Sequence, residues 1–79
     1  MNVATVASNT VWKDLAANIA LTEEHAKKVL ELFPKTNVIL FPEISLTGFI
    51  VDEGNVDVAQ SINGDAVQKV CAIAKTNQV

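Results

Sequence analysis

The segment F-P-E-I-S-L-T-G-F places an acidic side chain directly after a proline at the end of an apolar run. Glu43 follows Pro42, and the run before it, V-I-L-F, has the composition of a buried strand. Proline fixes φ and lacks an N–H, so it ends the strand sharply. Ligands of open parallel sheets bind beyond the carboxyl ends of the strands, where a carboxylate is suited to act as a general base. On position alone, a solvated loop residue explains Glu43 equally well.

The neighbours of Glu43 are predicted to shape its surroundings. Phe41 and Phe49 are expected to exclude water from the carboxylate and so make it a stronger base. Gly48 is expected to permit a tight turn behind Glu43, and Thr47 to support the loop by hydrogen bonding. This segment therefore contains a candidate catalytic residue and the means to hold it.

The other chemically capable side chains are predicted to serve structure. Cys71 falls on the apolar stripe of a predicted helix, which favours a buried structural thiol over a nucleophile. His25 lies on a helix rich in charge and is predicted to be a surface residue. Trp12 is predicted to anchor a helix start in the core. Lys69 and Lys75 flank the stripe of Cys71 and are predicted to be solvated.

Hydrophobic periodicity predicts the elements that must position Glu43. Residues 3–7 and 38–41 are uncharged apolar runs, typical of strands buried on both faces. Between them, apolar residues recur at spacings of three, four and seven, which predicts an amphipathic helix that Asp14 caps and Pro34 ends. Thr22 precedes two glutamates as a second N-cap would, so the helix is predicted to bend and restart there.

The second half of the chain is predicted to be a loop followed by a helix. Residues 46–64 are rich in glycine and asparagine and are predicted to be mostly loop, with a short helical turn through residues 56–60. Loops of this length are often functional. A second helix is predicted after Gly64, and its apolar stripe consists of Val67, Val70, Cys71 and Ala74.

The order β-α-β-α predicts a right-handed crossover, a parallel pair of strands and the α/β fold class. Strands that are apolar on both sides need cover on both faces of their sheet, and two helices cannot provide it. The chain is therefore expected to be the opening part of a larger sheet, with a third strand expected just after Val79.

Composition argues against several classes of function. The 79 residues are 49% hydrophobic and carry a net charge of −3, and the six lysines form no basic stripe for nucleic-acid phosphates. No apolar stretch approaches the roughly 20 residues of a membrane helix, and the start M-N-V-A-T-V-A lacks the basic region of a signal peptide. We therefore expect a soluble cytoplasmic protein without nucleic-acid or membrane partners. One cysteine and one histidine provide neither a disulfide nor a zinc site, so no metal or other cofactor is expected.

The segment from Phe41 to Phe49 resembles the first catalytic signature of the carbon-nitrogen hydrolase (nitrilase) superfamily, in which an apolar strand ends in P-E and T-G with an aromatic residue follows. Asp14 and Asn18, spaced as D-x-x-x-N, are similar to a second recurring feature of the family, and residues 59–74 resemble the segment before its third strand. The resemblance implies the N-terminal β-α-β-α part of a nitrilase-like α-β-β-α sandwich, incomplete as given. Residues 1–79 would then be the N-terminal portion of a single carbon-nitrogen hydrolase domain.

The resemblance also implies a catalytic set of Glu, Lys and Cys. In the family the Glu takes the thiol proton, the thiolate attacks an amide or nitrile carbon, and the Lys stabilises the tetrahedral intermediate. Only Glu43 matches this set; the family's Lys and Cys fall on later strands, so the chain alone is expected to be inactive. The implied substrate is a small amide, nitrile or carbamoyl compound, and the implied assembly is a homo-oligomer. For Asp14 and Asn18, helix capping or hydrogen bonding to a loop is predicted rather than catalysis.

Two alternative hypotheses stay open. A short homologue without catalytic activity would act as an interaction module, pairing its open sheet and apolar helix faces with another subunit. A nucleotide-binding half-domain has the same element order, but the sequence has no phosphate-binding glycine loop between Ala7 and Asp14.

Overall fold

The computed structural model describes residues 1–48 and 59–79. These residues form four elements in chain order: β1 (Val3–Thr5), α1 (Leu15–Leu32), β2 (Val38–Leu40) and α2 (Asp65–Asn77). The predicted α/β class and the β-α-β-α order are confirmed. The helical turn predicted through residues 56–60 lies mostly outside the described residues.

The two strands pair in parallel, as predicted. Val3 lies opposite Val38, and Thr5 lies opposite Leu40. Both strands are shorter than the apolar runs suggested, although the N–H of Val6 still donates to the carbonyl of Leu40 at 2.9 Å. Pro42 has no N–H with which to extend the pairing, so the chain leaves the sheet where the sequence indicated.

Helix α1 is one continuous helix of 18 residues, so the predicted bend and restart at Thr22 is wrong. The Thr22 hydroxyl donates to the carbonyl of Asn18, one turn back, at 2.9 Å. A threonine that bonds backward in this way occupies the interior of a helix instead of capping a new one. The cap predicted at Asp14 is confirmed, because its carboxylate accepts from the Ala17 N–H at 3.0 Å. The helix ends at Leu32, shortly before Pro34, as predicted.

Helix α2 forms where predicted, but its apolar stripe is rotated. Cys71 is exposed, so the buried structural thiol is a wrong prediction. Ile73, which the predicted stripe omitted, lines a crevice with Val70 and Ala74 against β2 and α1. Helix α2 has two similar apolar stripes, and the one with Ile73 faces α1 and β2. Cys71 lies outside this covered stripe. Lys69 and Lys75 are exposed, as predicted.

Two further side chains differ from their predictions. Trp12 is 38% exposed instead of anchoring the helix start in the core, and the Lys13 ammonium lies over its ring at 4.6 Å from the centroid. His25 is half-buried on α1, and its Nδ1 atom is buried without a hydrogen-bond partner among the described residues.

The core lies between the helices and one face of the sheet. Ile39 is half-buried on the covered face, and the fully buried apolar residues of the described chain are Ala26 and Ala66. Side chains alternate between the two faces of a strand, so the neighbours of Ile39 project to the other face, where Leu40 is 58% exposed. Two helices were predicted not to cover both faces of the sheet, and the described residues cover one. Neither described helix is both long and apolar enough to span a membrane.

Candidate active site

Glu43 lies just beyond the carboxyl end of β2, as the sequence predicts. The strand ends at Leu40, and residues 43–47 form a turn. The Glu43 side chain is exposed, so the predicted exclusion of water by flanking aromatic residues is not seen. Phe41 is half-buried toward the helices, and Phe49 lies outside the described residues. An exposed carboxylate at a strand end is accessible to a ligand, which is the first requirement for a general base.

The backbone beside Glu43 adopts an unusual conformation. Ile44 has a φ of +57°, in the left-handed region, which costs an L-residue about 1–2 kcal/mol and is rare for a β-branched side chain. The carbonyl of Ile44 accepts from the Gly48 N–H at 2.9 Å, which closes the turn. Such a conformation persists only where the surroundings impose it, and it is concentrated at functional sites.

Gly48 is fixed by its close approach to the segment before α1. Its φ is +96°, and a Cβ added there would lie 2.8 Å from the backbone N of Trp12 and 2.9 Å from the carbonyl O of Val11. Real Cβ atoms do not approach backbone atoms this closely, so only glycine fits. The predicted need for glycine behind Glu43 is therefore confirmed, and its cause includes packing as well as the turn.

A backbone hydrogen bond joins the two segments next to this contact. The Lys13 N–H donates to the carbonyl of Thr47 at 2.7 Å, so the backbone of Thr47 supports the loop, whereas a role for its hydroxyl stays a prediction. Lys13 itself has a φ of +60°, another left-handed residue that is not glycine. The turn that carries Glu43 thus lies directly on the loop that follows β1.

Asn18 ties both loops to helix α1. It is 1% exposed, and its Oδ1 accepts from the Val11 N–H at 2.8 Å. Its Nδ2 donates to the carbonyl of Val11 at 2.7 Å and to the carbonyl of Leu46 at 2.8 Å. Hydrogen bonding from helix to loop was predicted for Asn18, and the structure confirms it. The sequence did not reveal that one of its partners is the loop of Glu43, 28 residues away.

The remaining nucleophilic and cationic candidates lie elsewhere. Cys71, Lys69 and Lys75 are exposed on α2, whereas the hydrogen bonds that hold the Glu43 loop come from α1 and the loop before it. Within residues 1–48 and 59–79, no three His, Cys, Asp or Glu side chains are grouped as metal ligands would be. The sequence prediction that only Glu43 represents the catalytic set in this chain stays a prediction.

A cavity of about 620 Å³ lies beside β1 and the end of α1, and its lining does not include Glu43. Its walls are formed by residues 2–5, which contain β1, and residues 32–36, which precede β2. Because ligands of parallel sheets bind at the carboxyl ends of the strands, the Glu43 end is a better candidate site than this cavity.

Comparison with known proteins gives a single kind of match. The family model described as carbon-nitrogen hydrolase matches residues 2–79. Neither the comparison with curated proteins nor that with solved structures gives a match. The matched range contains β1, α1, β2 and α2 with the F-P-E segment, so the resemblance named from the sequence is confirmed. This chain belongs to the carbon-nitrogen hydrolase family.

Proposed function

We propose that this chain is the N-terminal portion of a hydrolase domain that cleaves a non-peptide carbon-nitrogen bond in a small molecule, with Glu43 as its general base. One observation carries the proposal. An exposed carboxylate lies at the carboxyl end of β2, on a turn held by Asn18 and Gly48, in a chain of the carbon-nitrogen hydrolase family. An ordinary solvated loop residue would not need its loop to be held by the buried amide of Asn18 and by a left-handed conformation at Ile44.

The proposed reaction uses Glu43 to move one proton in each half of the cycle. Its carboxylate takes the proton of a cysteine thiol, and the thiolate adds to the carbonyl carbon of an amide. The protonated Glu43 then gives this proton to the nitrogen as the carbon-nitrogen bond breaks, which leaves a thioester. Glu43 next takes a proton from water as the water oxygen attacks the thioester carbon. The carbon-sulfur bond then breaks, the carboxylic acid leaves, and Glu43 returns its proton to the cysteine thiolate.

Two groups of the proposed set come from outside the described site. A lysine would stabilise the negative oxygen of each tetrahedral intermediate, and the cysteine would supply the thiolate. We propose that both are encoded on strands beyond Val79, because Cys71, Lys69 and Lys75 all lie on α2. Reading the gene downstream of Val79 checks this directly. A reading frame without a further lysine and cysteine, each after a predicted strand, would contradict the proposed chemistry.

The substrate class we propose is a small amide, nitrile or carbamoyl compound, and the proposed location is the cytoplasm. The free thiol of Cys71 on the surface fits a reducing compartment. We also propose that the protein is a homo-oligomer, because large apolar side chains lie exposed on the described surface. Among them are Val3, Leu32, Phe33 and Leu40, which are 56–64% exposed.

Replacing Glu43 with glutamine in the native protein tests the proposal. Glutamine keeps the size and removes the ability to accept a proton, so we expect hydrolysis to fall by about 10²- to 10⁴-fold. Ammonia release from a panel of small amides, nitriles and carbamoyl compounds measures it. Glu31→Gln is the matched control, since Glu31 is an exposed acid on α1, and its activity should equal that of the wild type. Wild-type activity in Glu43→Gln would rule out the general base.

A second candidate function rests on the bare face of the sheet. A non-catalytic homologue would use Val3, Val38 and Leu40, all exposed, to pair with another subunit as an interaction module. Intact mass and sedimentation of the native protein separate the two functions. A stable monomer of 8.5 kDa would contradict the interaction module.

A further inference from the structure

Asn18 occupies an unusual position for an amide side chain. It is 1% exposed and lies in the first turns of α1, yet three of its hydrogen bonds go to loops outside the helix. Burying a polar side chain is unfavourable unless hydrogen bonds compensate, and these three bonds satisfy most of its capacity. The site needs a side chain that both accepts and donates hydrogen bonds, which asparagine does and the apolar residues of an ordinary helix interface do not.

Forming the helix does not require Asn18. Asp14 already caps α1 through the Ala17 N–H, and the Asn18 N–H makes the ordinary bond to the Asp14 carbonyl. The side chain instead connects Val11, which follows β1, with Leu46, which lies three residues after Glu43. Its contribution is therefore the relative placement of the two loops at the carboxyl end of the sheet.

We infer that Asn18 is a positioning residue for Glu43, which fixes the turn that carries the carboxylate and does not itself contact substrate. The inference rests on the proposed function of Glu43. Among the described residues, three contacts join this turn to the segments around it: the Leu46 bond to Asn18, the Thr47 bond to Lys13, and the approach of Gly48 to Trp12. Asn18 contributes the only side chain among these three, so it can be altered without changing the backbone of the turn.

Amide hydrogen exchange in the native protein tests the structural half of the inference. In Asn18→Ala, the N–H groups of Lys13 and Gly48 should exchange about tenfold faster than in the wild type, beyond any change in the rest of α1. Both groups are hydrogen-bonded across or within the turn, so they report its opening. Equal acceleration throughout the chain, or none at these two amides, would overturn the inference.

Thr36→Val is the matched control. Thr36 is 8% exposed, and its hydroxyl donates to the Phe33 carbonyl at 2.8 Å, beyond the opposite end of α1. Losing this bond should lower the free energy of unfolding, because a buried hydrogen bond is removed. Exchange at Lys13 and Gly48 should stay unchanged relative to the rest of the chain. The same acceleration at both amides in Thr36→Val would show that the turn responds to stability alone and would overturn the inference.

Asn18→Ser serves if the alanine variant fails to fold. A serine hydroxyl at this position can donate to the Asp14 carbonyl one turn back, in the way that Thr22 donates to Asn18. It is then satisfied without reaching Leu46. The turn should open locally, as in the alanine variant, while the helix remains intact. Local protection at wild-type levels in a folded serine variant would count against the inference.

Steady-state kinetics of the native enzyme test the functional half. A small displacement of a catalytic group lowers the rate of chemistry, so kcat of the Asn18 variants should fall about 10- to 100-fold while KM stays nearly constant. A rise in KM with unchanged kcat would overturn the positioning role. Wild-type kinetics of the Asn18 variants, in an assay where Glu43→Gln is inactive, would also overturn it. Full activity in Glu43→Gln has a different meaning, because it removes the proposed function, whereas the exchange result still shows whether Asn18 holds the turn.

Discussion

The carboxyl end of the sheet and the outer face of the sheet differ in how completely their side chains are buried and bonded by the rest of the described chain. At the carboxyl end of the sheet, Asn18 is 1% exposed and bonded to both loops, and Gly48 is buried against the backbone of Trp12. On the outer face of the same sheet, Val3 is 56% exposed and Leu40 is 58% exposed. One region is built from directional polar contacts, and the other is an apolar surface without cover from the described residues.

The difference shows that directional polar contacts, more than fully buried apolar side chains, hold the Glu43 turn within the described chain. The buried apolar residues of the described chain are two alanines, which contribute little hydrophobic stabilisation. Hydrogen bonds and a glycine contact instead join the Glu43 turn to α1 and to the loop after β1. Polar contacts of this kind require specific geometry, so they can fix one conformation of the turn while the outer face of the sheet remains uncovered.

Breaking the glycine contact should produce the largest change in stability. In Gly48→Ala the new methyl group meets the Trp12 backbone at a φ of +96°, so both strain and collision oppose folding. We expect the free energy of unfolding to fall by about 3 kcal/mol, measured by urea denaturation of the native protein.

Gly64→Ala provides the control for this substitution. Gly64 precedes α2 with a φ of −79°, and an added Cβ would lie 3.2 Å from the nearest atom, the Ser61 carbonyl oxygen. An alanine at this N-cap should cost about 1 kcal/mol. Equal losses in the two variants would mean that the Glu43 turn is no more constrained than an ordinary helix start.

Neighbouring residues of β2 test whether the outer face stays uncovered in the native protein. Ile39 is half-buried toward the helices, and Ile39→Thr should cost about 2 kcal/mol by losing apolar contacts and burying a hydroxyl group. If the proposed domain covers the outer face, Leu40→Thr should cost about as much, measured by the same denaturation. A cost below about 0.5 kcal/mol at Leu40 would mean that this face remains in solvent and would contradict the larger sheet.

The sequence predicts best those features that are encoded locally. Asp14 could be assigned as a cap because an acid before an apolar period satisfies free helical N–H groups three residues on. Pro42 marked the end of β2 because proline lacks an N–H. The strands, the order of the elements and the position of Glu43 at the strand end all followed from signals of this range.

The sequence predicts less well what two distant segments decide together. The exposure of Cys71 depends on which stripe of α2 contacts its neighbours, and helical periodicity permitted a stripe that includes it. The bond from Asn18 to Leu46 spans 28 residues, so D-x-x-x-N marked the residue without naming its partner. Lysine and isoleucine rarely adopt positive φ, so the sequence gives no sign that Lys13 and Ile44 do so here. The contact between their two loops accompanies this conformation.

The smallest expected change in the free energy of unfolding comes from replacing two left-handed residues, Gln78 and Lys13, with glycine. Gln78 ends α2 at a φ of +55°, with its N–H directed at the carbonyls of Ala74 and Lys75. Gln78→Gly should raise the free energy of unfolding by about 0.7 kcal/mol, since glycine adopts this conformation without strain. Lys13→Gly relieves the same strain at φ +60° but removes the ammonium from the Trp12 ring.

This cation–π contact contributes about 0.5 kcal/mol at an exposed site, so the gain from Lys13→Gly should be close to zero. Urea denaturation of both variants in parallel measures the difference. Equal gains would show that the ammonium over Trp12 adds nothing to stability. Among the described residues, the loop after β1 is joined to the Glu43 turn by the Lys13–Thr47 backbone bond and by Asn18, so either outcome leaves that connection in place.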